Sequence, residues 1–207
     1  LEDIIEDFYA YHFVDKNRHP YFNTRAGDHT ISIRLIKCCK MHEHASSSAK
    51  SLLEKIMKFD ISSLLKGSVY RIGHNHGLMA DVALLQASKI SNYCSKIIDI
   101  DQIQNRAKQT LSAMFFRDGL TKEHSLSYQL WNLNYAIEYF QESSIEPLAE
   151  ATEEETYRLF SKEFIDHFLV DSTHQFPIGD SFRKLNLNLY EKVFASKPQP
   201  ALGAYRN

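Results

Sequence analysis

Residues 28–57 decide the fold, and they read DHTISIRLIKCCKMHEHASSSAKSLLEKIM. In the first half, Ile31, Leu35 and the pair Cys38 and Cys39 recur at the spacing of one helix face. The serine run that follows is typical of a helix start, because a serine side chain can cap the first turn. The second half resumes the helical period. This stretch therefore predicts two consecutive helices separated by a short break.

The same period continues over most of the chain. The sequence holds only 7 Gly and 5 Pro in 207 residues, too few for the many tight turns of an all-β domain. No segment is typical of a strand, so we expect an all-α fold of stacked helical hairpins. Further helices are predicted at Glu2–Phe13, after Asn75, at Ile100–Phe116, at Glu123–Glu142 and at Glu153–Leu169, with a loop-rich segment past Asp171. The helix after Asn75 is predicted to be amphipathic, with Leu78 and Val82 on its apolar face. Asp60–Leu65 is predicted to be a short helical piece or a turn.

Composition excludes several classes of protein. Hydrophobic residues make up 43% and charged residues 24% of the chain, which is ordinary for a globular domain and excludes disorder. The net charge of −2 gives no basic field for a nucleic acid. No apolar run is long enough to span a membrane. The three cysteines have no framework spacing and predict no disulfide scaffold.

The first candidate site is His74-Asn75-His76-Gly77, which precedes a predicted helix. We interpret Asn75 as the N-cap. A helix N-terminus favours an anion, because its free N–H groups and dipole are positive there. Gly77 would permit close approach of another backbone. The alternative is a capped helix that carries two surface histidines.

The second candidate site lies on the helix predicted after Asp118-Gly119. His124 and Tyr128 are four residues apart and share a helix face. Trp131 and Tyr135 continue close to that face. Aromatic side chains among polar groups suit a sugar-binding cleft, since a sugar ring has apolar faces and a polar rim. The alternative is an aromatic stripe that packs this helix on its neighbour.

Three further segments have structural interpretations. Asp28 and Arg34 are interpreted as a charged pair buried between helices. His42-Glu43-His44 is interpreted as a solvated face, because residues two apart on a helix point to different sides and make a poor metal site. Phe176–Ser181 is predicted to be a turn. We therefore predict no metal site in the chain.

These segments, in their order along the chain, resemble the heparinase II/III-like polysaccharide lyases. The resemblance covers about Asp28 to Ser181, most of the chain. The matching pieces are Asp28-His29-Thr30 with Arg34, Asn75-His76-Gly77-Leu78-Met79 with Asp81, Asp118-Gly119 with Glu123-His124-Ser125 and Tyr128, and Ile178-Gly179-Asp180-Ser181. The chain departs from the family at Arg25-Ala26-Gly27, where relatives often place Trp before the Asp-His pair.

The resemblance implies a single helical domain over residues 1–207, folded as an incomplete (α/α) toroid. In that family a β-sandwich domain follows, so we expect the chain to continue beyond Asn207 and these 207 residues to lack turnover alone. The resemblance implies no cofactor in this chain, leaves room for a structural metal in the β-sandwich, and implies a periplasmic or extracellular location.

The implied activity is β-elimination at a uronic acid, with an acidic polysaccharide or oligosaccharide as partner. Asn75 and His76 match the family's pair that neutralises the substrate carboxylate. Tyr128 matches its catalytic tyrosine, which acts as general acid or base. The predicted substrate contacts are Glu123, His124, Trp131 and Tyr135. Two alternatives remain open: a non-catalytic glycan-binding or polysaccharide-biosynthesis domain, and a helical interaction scaffold.

Overall fold

A computed structural model describes residues 2–116, 120–123, 125–143, 158 and 161–199 of the protein. Within these ranges the chain is mostly helical, and only three isolated β-bridges occur, with no β-strand. The predicted all-α class is confirmed, whereas the toroidal arrangement stays a prediction. The chain divides into two compact units, Leu1–Lys108 and Gln109–Asn207.

The first unit carries most of the helices. They are α1 (Glu2–Tyr9, continued by a π-helical turn at Ala10–Val14), α2 (Asp28–His44, preceded by a 3-10 turn at Arg25–Gly27), α3 (Ser47–Leu64), α4 (Asn75–Ser88), α5 (Asn92–Ile97) and the start of α6 (Ile100–Met114). The predicted break between α2 and α3 is confirmed, since the Ser46 side chain accepts a hydrogen bond from the Ala49 N–H. The short helix α5 was not predicted.

The hairpin of α2 and α3 is joined by a buried ion pair. The Arg34 guanidinium donates to both oxygens of Asp60, with Nε 2.8 Å from Oδ2 and Nη2 2.5 Å from Oδ1. Arg34 also lies over the Phe22 ring, 3.9 Å from its centroid. Burial raises the pKa of Asp60 to about 6, against the opposing effect of Arg34. Helix α3 runs unbroken through Asp60 to Leu64, so the segment predicted as a short helical piece or a turn is the last turn of α3.

Helix α4 packs on α2 and is the most enclosed helix of the first unit. The prediction of an amphipathic helix was wrong here. Met79, Ala80 and Ala83 are buried, as are Leu78 and Val82 on the predicted apolar face. A helix covered on every side carries no polar stripe, so its position is fixed by packing from all directions.

The second unit has its core between α7 (Leu126–Ser143), the helical residues 161–167 and α8 (Leu187–Phe194). Helix α8 was not predicted, because the sequence past Asp171 was interpreted as loop. Asn186 caps it, accepting from the Leu189 N–H at 3.1 Å.

Helix α7 begins at Leu126, three residues after the predicted start. Two serines cap this start: the Ser125 hydroxyl oxygen accepts from the Tyr128 N–H at 3.3 Å, and Ser181 caps from a distant part of the chain. The Ser181 hydroxyl oxygen accepts from the N–H groups of Leu126, at 2.6 Å, and Ser127, at 3.3 Å. The predicted Phe176–Ser181 turn thus has a structural role, with Gly179 at a φ of 58°.

Substitution of Gly77 would test how tightly the start of α4 is packed. A Cβ added there would stand 2.0 Å from the Arg71 carbonyl oxygen, whereas one added at Gly67 would meet nothing within 4 Å. We expect Gly77→Ala to lower the free energy of unfolding by about 1–3 kcal/mol, the usual cost of overpacking. Gly67→Ala should leave it nearly unchanged. Urea denaturation measures both, and equal midpoints for the two variants would contradict the packing described.

Candidate functional site

The N-termini of α2 and α4 meet at one point in the first unit. Asp28 is the first residue of α2, and His76 is the second residue of α4. The Nδ1 atom of His76 lies 2.9 Å from Oδ1 of Asp28. An ionised carboxylate only accepts hydrogen bonds, so Nδ1 carries the hydrogen and Nε2 is the ring nitrogen left for a ligand. The His76 side chain is 30% exposed, so it is accessible.

Asp28 is buried and has three partners. Besides His76, its Oδ2 lies 2.7 Å from Nε of Arg71, and its Oδ1 accepts from the His29 backbone N–H at 2.7 Å. Arg71 also donates from Nη2 to the Arg25 carbonyl. The prediction that Asp28 and Arg34 form a charged pair was wrong. Arg34 pairs with Asp60, whereas Asp28 pairs with Arg71 and His76. The Arg71 guanidinium therefore balances the buried charge of Asp28.

Asn75 begins α4 but does not cap it. The N-cap is His74, whose Nδ1 accepts from the His76 N–H at 3.2 Å. The prediction of Asn75 as N-cap was therefore wrong by one residue. Asn75 is 8% exposed, and its Oδ1 has no hydrogen-bond partner among the described residues. A buried amide oxygen without a partner costs free energy, and this atom can accept a hydrogen bond from a ligand but cannot donate one.

Three imidazoles gather at this point, and we call His29, His74 and His76 the histidine cluster. The His29 and His76 ring centroids are 5.1 Å apart, and those of His74 and His76 are 4.6 Å apart. Desolvation, followed by the neighbouring His76, lowers the pKa of His29, and Asp28 opposes the shift. His29 is therefore held toward its neutral form. The sequence did not single out its imidazole as a site residue.

A second buried network supports the start of α4. Asp81 accepts from the Tyr70 hydroxyl at 2.7 Å and from Nε of Arg106 at 2.5 Å. The Arg106 guanidinium lies 3.9 Å from the centroid of the Tyr70 ring. Burial raises the pKa of Asp81 to about 7, against the opposing effect of Arg106. Tyr70 packs beside Gly77, so this network holds the backbone that carries Asn75 and His76.

The remaining predicted site residues lie in the second unit. Tyr128 and Trp131 are on α7 and are 38% and 41% exposed. Tyr135 follows one turn later, with its ring centroid 6.5 Å from that of Trp131. Burial, followed by the neighbouring Glu138, raises the pKa of Tyr135. The aromatic side chains of Tyr128 and Trp131 are therefore partly open to solvent, and this part of the helix face is not fully packed against a neighbouring helix.

Glu123 precedes α7 and is tied to it. Its Oε2 accepts from Nδ2 of the buried Asn132 at 3.3 Å, and its backbone N–H donates to Thr121. His124, which was predicted to contact substrate, lies outside the described residues, as does the predicted Asp118-Gly119 turn.

Among the described residues there is neither a metal-binding group nor a membrane-spanning helix. Over the described ranges, no group of three or more His, Cys, Asp or Glu side chains is placed to hold a metal ion. None of the helices in those ranges is both long and apolar enough to cross a membrane. Comparisons with protein-family models, curated proteins and solved structures return no match.

Asp28 offers a direct test of this geometry. We expect Asp28→Asn to lower the free energy of unfolding by about 3–5 kcal/mol, because Arg71 and His76 would lose the buried charge between them. Thermal or urea unfolding measures the change. The matched control is Asp15→Asn, an exposed position, which should change stability by less than about 0.5 kcal/mol. A loss no larger than that of the control would show that the ion pairs are dispensable.

Proposed function

We propose that the protein is a polysaccharide lyase that cleaves an acidic, uronate-containing glycan by β-elimination. The observation that supports it is the meeting of two helix N-termini at Asn75 and His76, with the Arg71–Asp28 pair beside them. Helix N-termini and imidazole N–H groups favour a carboxylate. The resemblance to the heparinase II/III-like lyases assigns the same two residues to that task.

The chemistry explains why a carboxylate site matters. The hydrogen on C5 of a uronate is a poor acid, because its removal places charge beside a group that is already negative. Hydrogen bonds to that carboxylate from the Asn75 amide N–H and from an Nε2–H of His76, in a ring that also keeps its Nδ1–H on Asp28, would let the charge spread into an enolate-like intermediate. Donors that are fixed before the reaction are the most effective, since they need not reorganise as the charge develops.

Tyr128 is proposed as the acid that protonates the leaving glycosidic oxygen at C4. An ordinary tyrosine has a pKa of about 10 and is protonated at neutral pH. Its side chain is 38% exposed at the first turn of α7, where a substrate can reach it. Trp131, Tyr135, Glu123 and His124 are proposed as substrate contacts, on the resemblance and on the sugar-binding chemistry of their side chains.

A second candidate function is glycan binding without cleavage. It is favoured by the exposed aromatic side chains of Tyr128 and Trp131, which a sugar ring can stack on whether or not a bond is broken. This candidate predicts retention of uronate oligosaccharides with no unsaturated product. Product analysis therefore separates the two proposals.

The proposal predicts ultraviolet absorbance from a new C4–C5 double bond when the protein, in its full natural length, is incubated with uronate polymers. Tyr128→Phe should lower kcat by about 10²–10⁴-fold, the range for loss of a general acid. Asn75→Ala should lower it by about 10²–10³-fold, as for loss of one preorganised donor. Tyr11→Phe, at another exposed tyrosine, is the matched control and should keep full activity.

Two results would contradict the proposal. Binding of uronate oligosaccharides with no absorbance change would favour the non-catalytic candidate. Full activity of Tyr128→Phe, with an unchanged circular dichroism spectrum, would remove Tyr128 from the mechanism.

A further inference from the structure

We propose that His29 is the general base that removes the C5 proton in the proposed elimination. This inference rests on the proposed function and adds the base that the resemblance left unassigned within this chain. It is carried by the position of His29 beside His76, at the junction of α2 and α4.

The geometry of the substrate sets where a base must stand. In a uronate, C5 is bonded directly to the carboxylate carbon, so the proton to be removed is adjacent to the group that must be neutralised. A base has to come within about 3 Å of the atom it deprotonates, and a donor within about 3 Å of the oxygen it binds. The two side chains must therefore be close neighbours. The His29 and His76 ring centroids, 5.1 Å apart and tilted by 37°, meet this requirement.

His29 and His76 differ in how exposed their side chains are, and this difference suits them to different roles. His76 is partly buried and its Nδ1 is bound to Asp28. His29 lies in the first turn of α2 and is exposed, so a substrate seated on the helix N-termini can contact its ring. The side chain of Asp28 engages His76 and Arg71, and it meets His29 through the backbone N–H.

The protonation state suits a base. The titratable and charged groups around His29 are Asp28 on its own helix, His76 and His74 from the start of α4, and Arg71, which is bound to Asp28. Desolvation and His76 lower the pKa of His29 below the ordinary 6.5, and Asp28 only partly offsets this. His29 is thus mostly neutral at pH 7, and it stays neutral further into the acidic range than an ordinary histidine.

The step balances without any added reagent. A neutral ring nitrogen of His29 takes the C5 proton, and the C5–H electron pair forms the C4–C5 double bond. The C4–O bond breaks, and the departing glycosidic oxygen takes a proton from the general acid of the proposed elimination. The products are an unsaturated uronate end and a free 4-hydroxyl group. The His29 imidazolium then returns its proton to solvent, and the general acid regains one from solvent.

The test compares His29→Gln and His29→Ala with His44→Gln, an exposed histidine at the other end of α2, in the protein at full natural length. We expect His29→Gln to lower kcat by about 10²–10⁴-fold and His44→Gln to change nothing. Added imidazole should restore activity to His29→Ala in proportion to its concentration, which a purely structural role would not allow. In the pH profile of kcat/KM, the loss of activity on acidification should occur below pH 6.5 in the wild type. The residual activity of His29→Gln should not show that loss.

The outcomes separate this inference from the proposed function. A wild-type protein that gives no unsaturated product overturns the proposed function itself. If the wild type is active, either of two results overturns the inference alone. One is that His29→Gln keeps more than a tenth of kcat, and the other is that imidazole fails to rescue folded His29→Ala. Circular dichroism establishes folding for each variant.

Discussion

The buried carboxylate of Asp28 is the contact on which the candidate site depends. It lies between Arg71 and His76, which come from the segment leading into α4 and from α4 itself. A buried charge is tolerated only when it is paired, so Asp28 constrains where α2 and α4 begin relative to each other. That constraint brings two positive helix ends together and fixes which nitrogen of His76 is available to a ligand.

The rest of the first unit keeps this junction in place. Helix α4 is covered on all sides, so it cannot rotate without disturbing the core. Gly77 lets the Arg71 carbonyl approach the helix, and the Tyr70–Asp81–Arg106 network secures the same backbone. A site that is held by packing and hydrogen bonds before a ligand arrives loses little free energy in ordering itself.

Local features of this fold could be predicted from the sequence, and distant contacts could not. The helical period at Ile31 and Leu35 and the cap at Ser46 depend only on nearby residues, and both predictions were confirmed. The pairing of Asp28 with His76 joins residues 48 positions apart, and no local pattern contains it. For the same reason the cap of α7 by Ser181 was missed. Asn75 and His76 could be predicted as candidates because a helix start beside histidines is itself a local signal.

Binding of a carboxylate at the junction of α2 and α4, on which the proposed function depends, can be measured without turnover. Labelled protein titrated with glucuronate, with glucose as the uncharged control, would be followed by NMR at the His76 imidazole and the Asn75 amide. We expect saturable shifts of these signals with glucuronate and none with glucose. Equal responses to the two sugars, or no response at His76 and Asn75, would contradict the account.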